Sequence, residues 1–313
     1  MTLRPALIGL AAALAITSPA FAIPPDLPQL YAAPLPAPSD PDAHHFANGA
    51  IMLGNITYKS VPDYRPLQLD LYLPSDKPAT QALPLVIWVH GGGYAIGNPR
   101  ADWTWGDWTQ VLARLSARGY AVAGVSYRLK GEARFPAQEE DVRDAIVFLR
   151  DHAADWGIDP SRVYIWGLSA GGHLTALTAL TNDTAPAAAR VQGYVDWFGP
   201  TDFTAMAKGS ENGTITSLLG CARTCSEETL KGASPVNFVT ASAPPGLILH
   251  GAADTLVPVS QSQALYERLK AAGADVTFES VPGLGHGFTG AAPEQLEDIL
   301  QRTFSFFDRL SHK

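Results

Sequence analysis

Val163-Tyr-Ile-Trp-Gly-Leu-Ser-Ala-Gly-Gly-His-Leu174 is the stretch that decides the fold of this chain. Its first four residues are apolar, as in a strand buried on both faces, and residues 170–181 continue as a helical run. Between them stands Gly167-Leu168-Ser169-Ala170-Gly171, the G-x-S-x-G pattern of a sharp strand-to-helix turn. Such a turn is strained, and side chains at 167 or 171 would strike neighbouring elements. It thrusts the Ser169 hydroxyl out at the carboxyl edge of a sheet.

Outward from this turn the pattern alternates strand and helix. Residues 83–89, Leu-Pro-Leu-Val-Ile-Trp-Val, form another continuous apolar run, and 120–127, 191–198, 246–250 and 276–281 give four more strands. Two strands precede them at 55–61 and 67–73, the second with Leu67, Leu69, Leu71 and Leu73 in alternation. Helices are expected at 103–118, 138–156, 260–272 and 293–310. In the second, Val142, Ala145, Ile146, Leu149, Ala153 and Trp156 make one apolar stripe. This alternation predicts an α/β domain over 55–313 with a mostly parallel eight-stranded sheet and helices on both faces. Residues 200–243 have no clear period and read as a lid-like insertion or pocket wall.

A serine hydroxyl needs a base to become a nucleophile. Of eight histidines, His286 is the expected base: it lies in Gly283-Leu-Gly-His-Gly-Phe288, just past the last strand, where glycines let a loop reach over the site. His173 is held in line with its own helix and is expected to pack near the elbow; His250, ending a strand, reads as structural. The base in turn needs a carboxylate to fix its tautomer and stabilise its cation. Asp254 follows a buried strand and fits that part, whereas Asp202 reads as a turn or helix cap. Catalytic Ser169, Asp254 and His286 then fall in the order serine, acid, histidine. Oxyanion donors are expected from the backbone N–H groups of Gly92 and Gly93, in His90-Gly-Gly-Gly-Tyr94, and of Ala170. No Lys-Ser/Thr follows that glycine run, which sets aside a P-loop.

The balance of the 313 residues excludes other classes. At 46% hydrophobic and 17% charged the chain can bury a large core, and a net charge of -8 without a basic block argues against nucleic acid as a partner. Residues 1–22 read as a signal peptide, with a weakly positive start, an apolar run and the small-residue site Ala20-Phe21-Ala22, so a periplasmic or extracellular protein is expected. Residues 23–54 read as an irregular, Pro-rich arm. No later stretch is long and apolar enough to span a bilayer. Cys221 and Cys225 are the only cysteines and are expected to pair as a local disulfide in an exported protein. Neither a metal cluster nor a dinucleotide fingerprint is evident, and no cofactor is expected.

With its His-Gly-Gly-Gly loop, Gly-Leu-Ser-Ala-Gly-Gly-His elbow, Asp254 and His286, the chain resembles α/β-hydrolase serine esterases, most closely the BD-FAE-like group near the hormone-sensitive-lipase family. The resemblance runs over about residues 55–310 and includes Ser126-Tyr-Arg-Leu129 and Asp159-Pro-Ser-Arg-Val163. It implies a carboxylic-ester hydrolase acting through an acyl-enzyme, on acetyl or feruloyl esters of carbohydrates. General carboxylesterases or lipases, and amide-cleaving relatives of formamidase or peptidase type, are the alternatives. The helical cap usual in hormone-sensitive-lipase relatives has no counterpart in the short 23–54 segment, which implies an open pocket suited to bulky or polymeric esters. Tyr94 and the cluster Trp103, Trp105 and Trp108 are candidate substrate contacts. For the tryptophans, stacking on a sugar or aromatic acyl group stands beside plain packing at the start of a helix.

Overall fold

A computed structural model describes residues 37–311 apart from 38, 41, 63, 77–81, 103–105 and 208–212. The expected signal segment 1–22, half of the Pro-rich arm, and Trp103 and Trp105 lie outside the described residues. In chain order the strands are β1 (His44–His45), β2 (Ala50–Lys59), β3 (Leu67–Pro74), β4 (Leu83–Val89), β5 (Ala101–Asp102), β6 (Gly106–Asp107), β7 (Ala121–Val125), β8 (Ile158–Leu168), β9 (Gly193–Trp197), β10 (Gly246–Gly251) and β11 (Val276–Val281). The helices are α1 (Trp108–Ser116), α2 (Ala137–Asp151), α3 (Ala153–Trp156), α4 (Ala170–Leu180), α5 (Phe203–Ala207), α6 (Gly213–Leu219), α7 (Glu227–Gly232), α8 (Ser260–Ala271) and α9 (Pro293–Ser311).

Nine strands make one sheet in the order β1-β2-β3-β7-β4-β8-β9-β10-β11, and β5 and β6 form a separate small ribbon. Pairings up to β3 with β7 are antiparallel, and every pairing from β7 to β11 is parallel. The eight expected strands are all present, and the ninth is the two-residue edge β1. That edge corrects the expected arm: His44 and His45 pair with Met52 and Ile51, and β2 begins at Ala50 rather than at 55. The apolar run 50–53 belongs to β2 but is cut off in the sequence by Gly54-Asn55, where the register shifts and Asn55 has a φ of 58°.

The central strand β4 is buried throughout, and its period of two sorts the core onto two faces. Leu85, Ile87 and Val89 pack with Val142, Ile146 and Leu149 of α2 and Leu174 of α4. Val86 and Trp88 pack with Leu112 and Leu115 of α1 and Phe304 and Phe307 of α9. Each fully buried side chain of this kind contributes about 1.5–3 kcal/mol. Because β4, β8, β10 and β11 run parallel, the loops carrying Gly91–Gly93, Ser169, Asp254 and His286 all leave the same edge of the sheet.

Helices α5 to α7 and a 3₁₀ turn at Pro235–Phe238 fill the 200–243 insertion. Its described parts are fastened to the domain: the Phe135 N–H donates to the Leu218 carbonyl at 2.9 Å, and Arg268 Nη1 to the Val236 carbonyl at 3.1 Å. Cys221 and Cys225 are joined in a disulfide with their Cα atoms 5.3 Å apart. So short a loop removes little chain entropy, about 2 kcal/mol on the loop-closure model. Among the described residues no helix is long and apolar enough to cross a membrane.

Candidate active site

The elbow is built from what cannot be added to it. A Cβ on Gly167 would lie 2.3 Å from the Gly171 carbonyl oxygen, and one on Gly171 would lie 2.1 Å from that of Val89. Only glycine at both positions lets α4 start directly behind β4. Ser169 between them has φ 52° and ψ -119°, a conformation that L-residues rarely hold. Two backbone bonds hold it there: its N–H donates to Trp197 O at 2.9 Å, and its carbonyl accepts from His173 N at 3.0 Å.

His286 Nε2 lies 2.9 Å from Ser169 Oγ, and His286 Nδ1 lies 2.7 Å from Asp254 Oδ2. Nδ1 faces a carboxylate, so it carries the ring proton and leaves Nε2 to accept from the serine. Three residues separated by up to 117 positions are thus joined in one hydrogen-bonded line. Phe198, whose own φ is 44°, backs the His286 ring edge-to-face at 5.0 Å. Asp254 is buried, which by itself raises its proton affinity, yet hydrogen bonds from His250 and His286 and the Val257 N–H hold its carboxyl well below the usual range. Its other oxygen, Oδ1, accepts from the N–H groups of Leu256 and Val257, both at 2.9 Å. Asp202 caps α5 through Oδ1 and the Ala205 N–H at 3.0 Å, as a cap was expected to do.

The glycine loop after β4 is held from beneath. His90 is buried and stacked on Tyr127 at 4.3 Å, and the Tyr127 hydroxyl donates to the His90 carbonyl at 3.0 Å. Burial drives the His90 pKa down to about 4, so the ring is neutral, with Nδ1 donating to Gly91 O at 2.7 Å. Gly92 and Gly93 have φ of 109° and 58°. A Cβ on Gly92 would lie 2.1 Å from the Ile96 carbonyl oxygen, whereas one on Gly93 would meet nothing within 4 Å. Ala170 opens α4, so its N–H is one of the donors with no partner inside the helix.

The other histidines sort as their positions require. His173 is buried, donates from Nε2 to Ala233 O at 2.7 Å and stacks on Phe203, so it ties the insertion to the elbow helix. Burial lowers its pKa to about 4. His250 makes a contact that its reading as structural did not include: its Nε2 lies 3.2 Å from Asp254 Oδ2. The spacing of four residues in His250-Gly-Ala-Ala-Asp254 was the available signal. Asp196 went unnoticed in the sequence. It is buried at the end of β9, with Oδ1 accepting from Gly199 N at 2.9 Å and Oδ2 without a partner among the described residues. Burial pushes its pKa up to about 6, opposed by the hydrogen bond from the Gly199 N–H.

The aromatic candidates divide. Trp108 is buried at the start of α1, 4.5 Å from Trp88 and 5.5 Å from Trp166, in the core of the second face of the sheet. Tyr94 is likewise buried, edge-on to His173 at 5.6 Å, and is part of the core beneath the loop rather than an exposed contact. Trp103 and Trp105 lie outside the described residues.

Comparison with known proteins agrees with this fold. The BD-FAE family model matches residues 69–269. Two relatives from Mycobacterium tuberculosis are named a probable carboxylic ester hydrolase, LipM (30% identical, over 75% of this chain and 56% of that protein), and an esterase, LipC (34%, over 70% and 56%). The chain spans about half the length of these curated relatives. Among solved structures, a truncated carbohydrate esterase from gut microbiota superposes with a TM-score of 0.73 at 31% identity, covering 86% of this chain and 99% of that one. Strand order, elbow and family match agree: the chain belongs to the BD-FAE family and has the α/β-hydrolase fold.

Proposed function

We propose that this protein is a serine carboxylic-ester hydrolase that works through an acyl-enzyme, with Ser169 as nucleophile, His286 as base and then acid, and Asp254 orienting His286. The observation that carries the reading is the unbroken line Ser169 Oγ, His286, Asp254 at a strained elbow. Ser169 gives its proton to His286 Nε2 as Oγ attacks the ester carbonyl. The N–H groups of Gly92, Gly93 and Ala170 receive the oxyanion. His286 then passes the proton to the departing alcohol, and a water, deprotonated by the same nitrogen, releases the acid.

The substrates are short acyl, especially acetyl, or feruloyl esters of carbohydrates. Supporting this are the family match and the carbohydrate esterase of the same fold from gut microbiota. The test is a series of p-nitrophenyl esters from acetate to decanoate, with methyl ferulate, acetylated xylan and matched amides. Activity highest on acetate and present on acetylated xylan is expected. Preference for long acyl chains, or amide cleavage as fast as ester cleavage, would overturn the substrate class. Export is proposed as well, on the Cys221–Cys225 disulfide, and sequencing the mature N-terminus is its check.

The oxyanion assignment makes its own prediction. Gly92→Ala puts a methyl 2.1 Å from the Ile96 carbonyl at a φ of 109°, so the loop must shift and carry its donors away. A loss of roughly 10²–10³ in kcat is expected, together with a lowered melting temperature from the clash and the positive φ. Wild-type kcat in the folded variant would remove Gly92 from the donors.

A further inference from the structure

We propose that His250 is a positioning residue for this reaction, holding the Asp254 carboxylate in the orientation in which His286 must meet it. The proposal rests on the reading of Ser169, His286 and Asp254 given above. His250 lies near the end of β10, fully buried, and both ring nitrogens are engaged. Nε2 is 2.8 Å from the Val257 carbonyl oxygen and 3.2 Å from Asp254 Oδ2. Both partners only accept, so Nε2 bears the hydrogen. Nδ1 is 2.7 Å from Ser262 Oγ on α8, whose hydroxyl can donate to it. A neutral ring with Nε2–H satisfies every partner.

The consequence falls on the carboxylate. Two N–H groups pin Oδ1, which by itself leaves the group free to pivot about that oxygen. Oδ2 is held by two imidazoles, His286 at 2.7 Å and His250 at 3.2 Å. His286 is partly exposed, and its Nε2 takes up and gives away a proton in each turnover; His250 is sealed from solvent and does not contact Ser169. The buried ring therefore gives Oδ2 a second anchor, one whose own protonation does not change as His286 Nε2 gains and loses its proton. Val257 closes the arrangement, giving its N–H to Asp254 and its carbonyl to His250. The loop 254–257 is stitched to β10 and α8 through one imidazole.

Two substitutions separate positioning from simple support of the fold. His250→Leu fills the space and removes both polar contacts, whereas His250→Gln offers an amide N–H near the place of Nε2. The measurements are kcat and KM for p-nitrophenyl acetate, counted per active site by stoichiometric labelling with an organophosphonate ester, beside thermal melting. His250→Leu should lower kcat about tenfold or more with KM within about twofold, and His250→Gln should restore most of it. Unchanged kcat per labelled site in folded His250→Leu would overturn the proposal, as would equal losses in both variants. If His250→Leu does not fold, Ser262→Ala serves: freeing Nδ1 lets the ring turn, and kcat should fall severalfold at constant KM. Wild-type kcat in Ser262→Ala would then overturn it. A wild type that neither labels nor hydrolyses any ester overturns the catalytic reading itself, which distinguishes that failure from a failure of His250.

Discussion

Ser169→Ala should leave a folded protein with ester hydrolysis reduced by roughly 10⁶-fold in kcat, the scale on which removal of the serine abolishes acyl transfer in an unrelated serine hydrolase. The expectation follows from the geometry. His286 Nε2 would face a methyl group, so the base has no proton to take and no covalent intermediate can form. The backbone N–H groups and Asp254 remain, which sets the residual rate at what binding and oxyanion stabilisation supply alone. Folding should be little affected, because alanine loses only a hydroxyl that bonds to a partly exposed imidazole. Rates on p-nitrophenyl acetate, together with loss of organophosphonate labelling, check this. Activity within tenfold of wild type would mean that another residue is the nucleophile.

Asp196→Asn should change how stability depends on pH. In the folded protein burial pushes the Asp196 pKa up to about 6, whereas in the unfolded chain an aspartate titrates near ~3.9. Between those values the folded state keeps a proton that the unfolded state has released. Stability therefore falls as pH rises through this window, and above it the full cost of the buried charge persists. Asparagine has no such proton, so its variant escapes the penalty. The stability of Asp196→Asn relative to wild type should rise by about 2 kcal/mol between about pH 4.5 and pH 7.5, read from urea unfolding at each pH. A difference that does not vary with pH would show that Asp196 is ionised to the same extent in both states.

The sequence exposed those parts of the site whose chemistry demands unusual residues. An elbow needs glycines at two fixed offsets, and a base on a loop needs freedom around it, so Ser169 and His286 stand out. Asp254 followed from its position after a parallel strand. What stayed hidden depends on distance rather than pattern. His250 and Asp196 are ordinary strand residues until the sheet brings β9 and β10 against the elbow. For Trp108, stacking on a substrate and packing stood side by side, because a cluster of tryptophans has no period that says which face it serves; the second face of the sheet, with Trp88, Trp166 and Trp197, takes it into the core. In the insertion, helices of five to seven residues are too short to show an apolar stripe, so 200–243 read as shapeless.

The glycines of the elbow also limit where this protein can change. Gly171 abuts the backbone of Val89, and a methyl on Gly172 would lie 2.4 Å from Asp196 Oδ1. A library that randomised 167, 171 and 172 would return few folded clones whatever the selection. At Gly93 and Gly283 a Cβ would meet nothing within 4 Å, so a side chain there has room, at the cost of φ values of 58° and 76°. New ester preferences, natural or engineered, have to enter through those rims, while the turn beneath them is inherited unaltered.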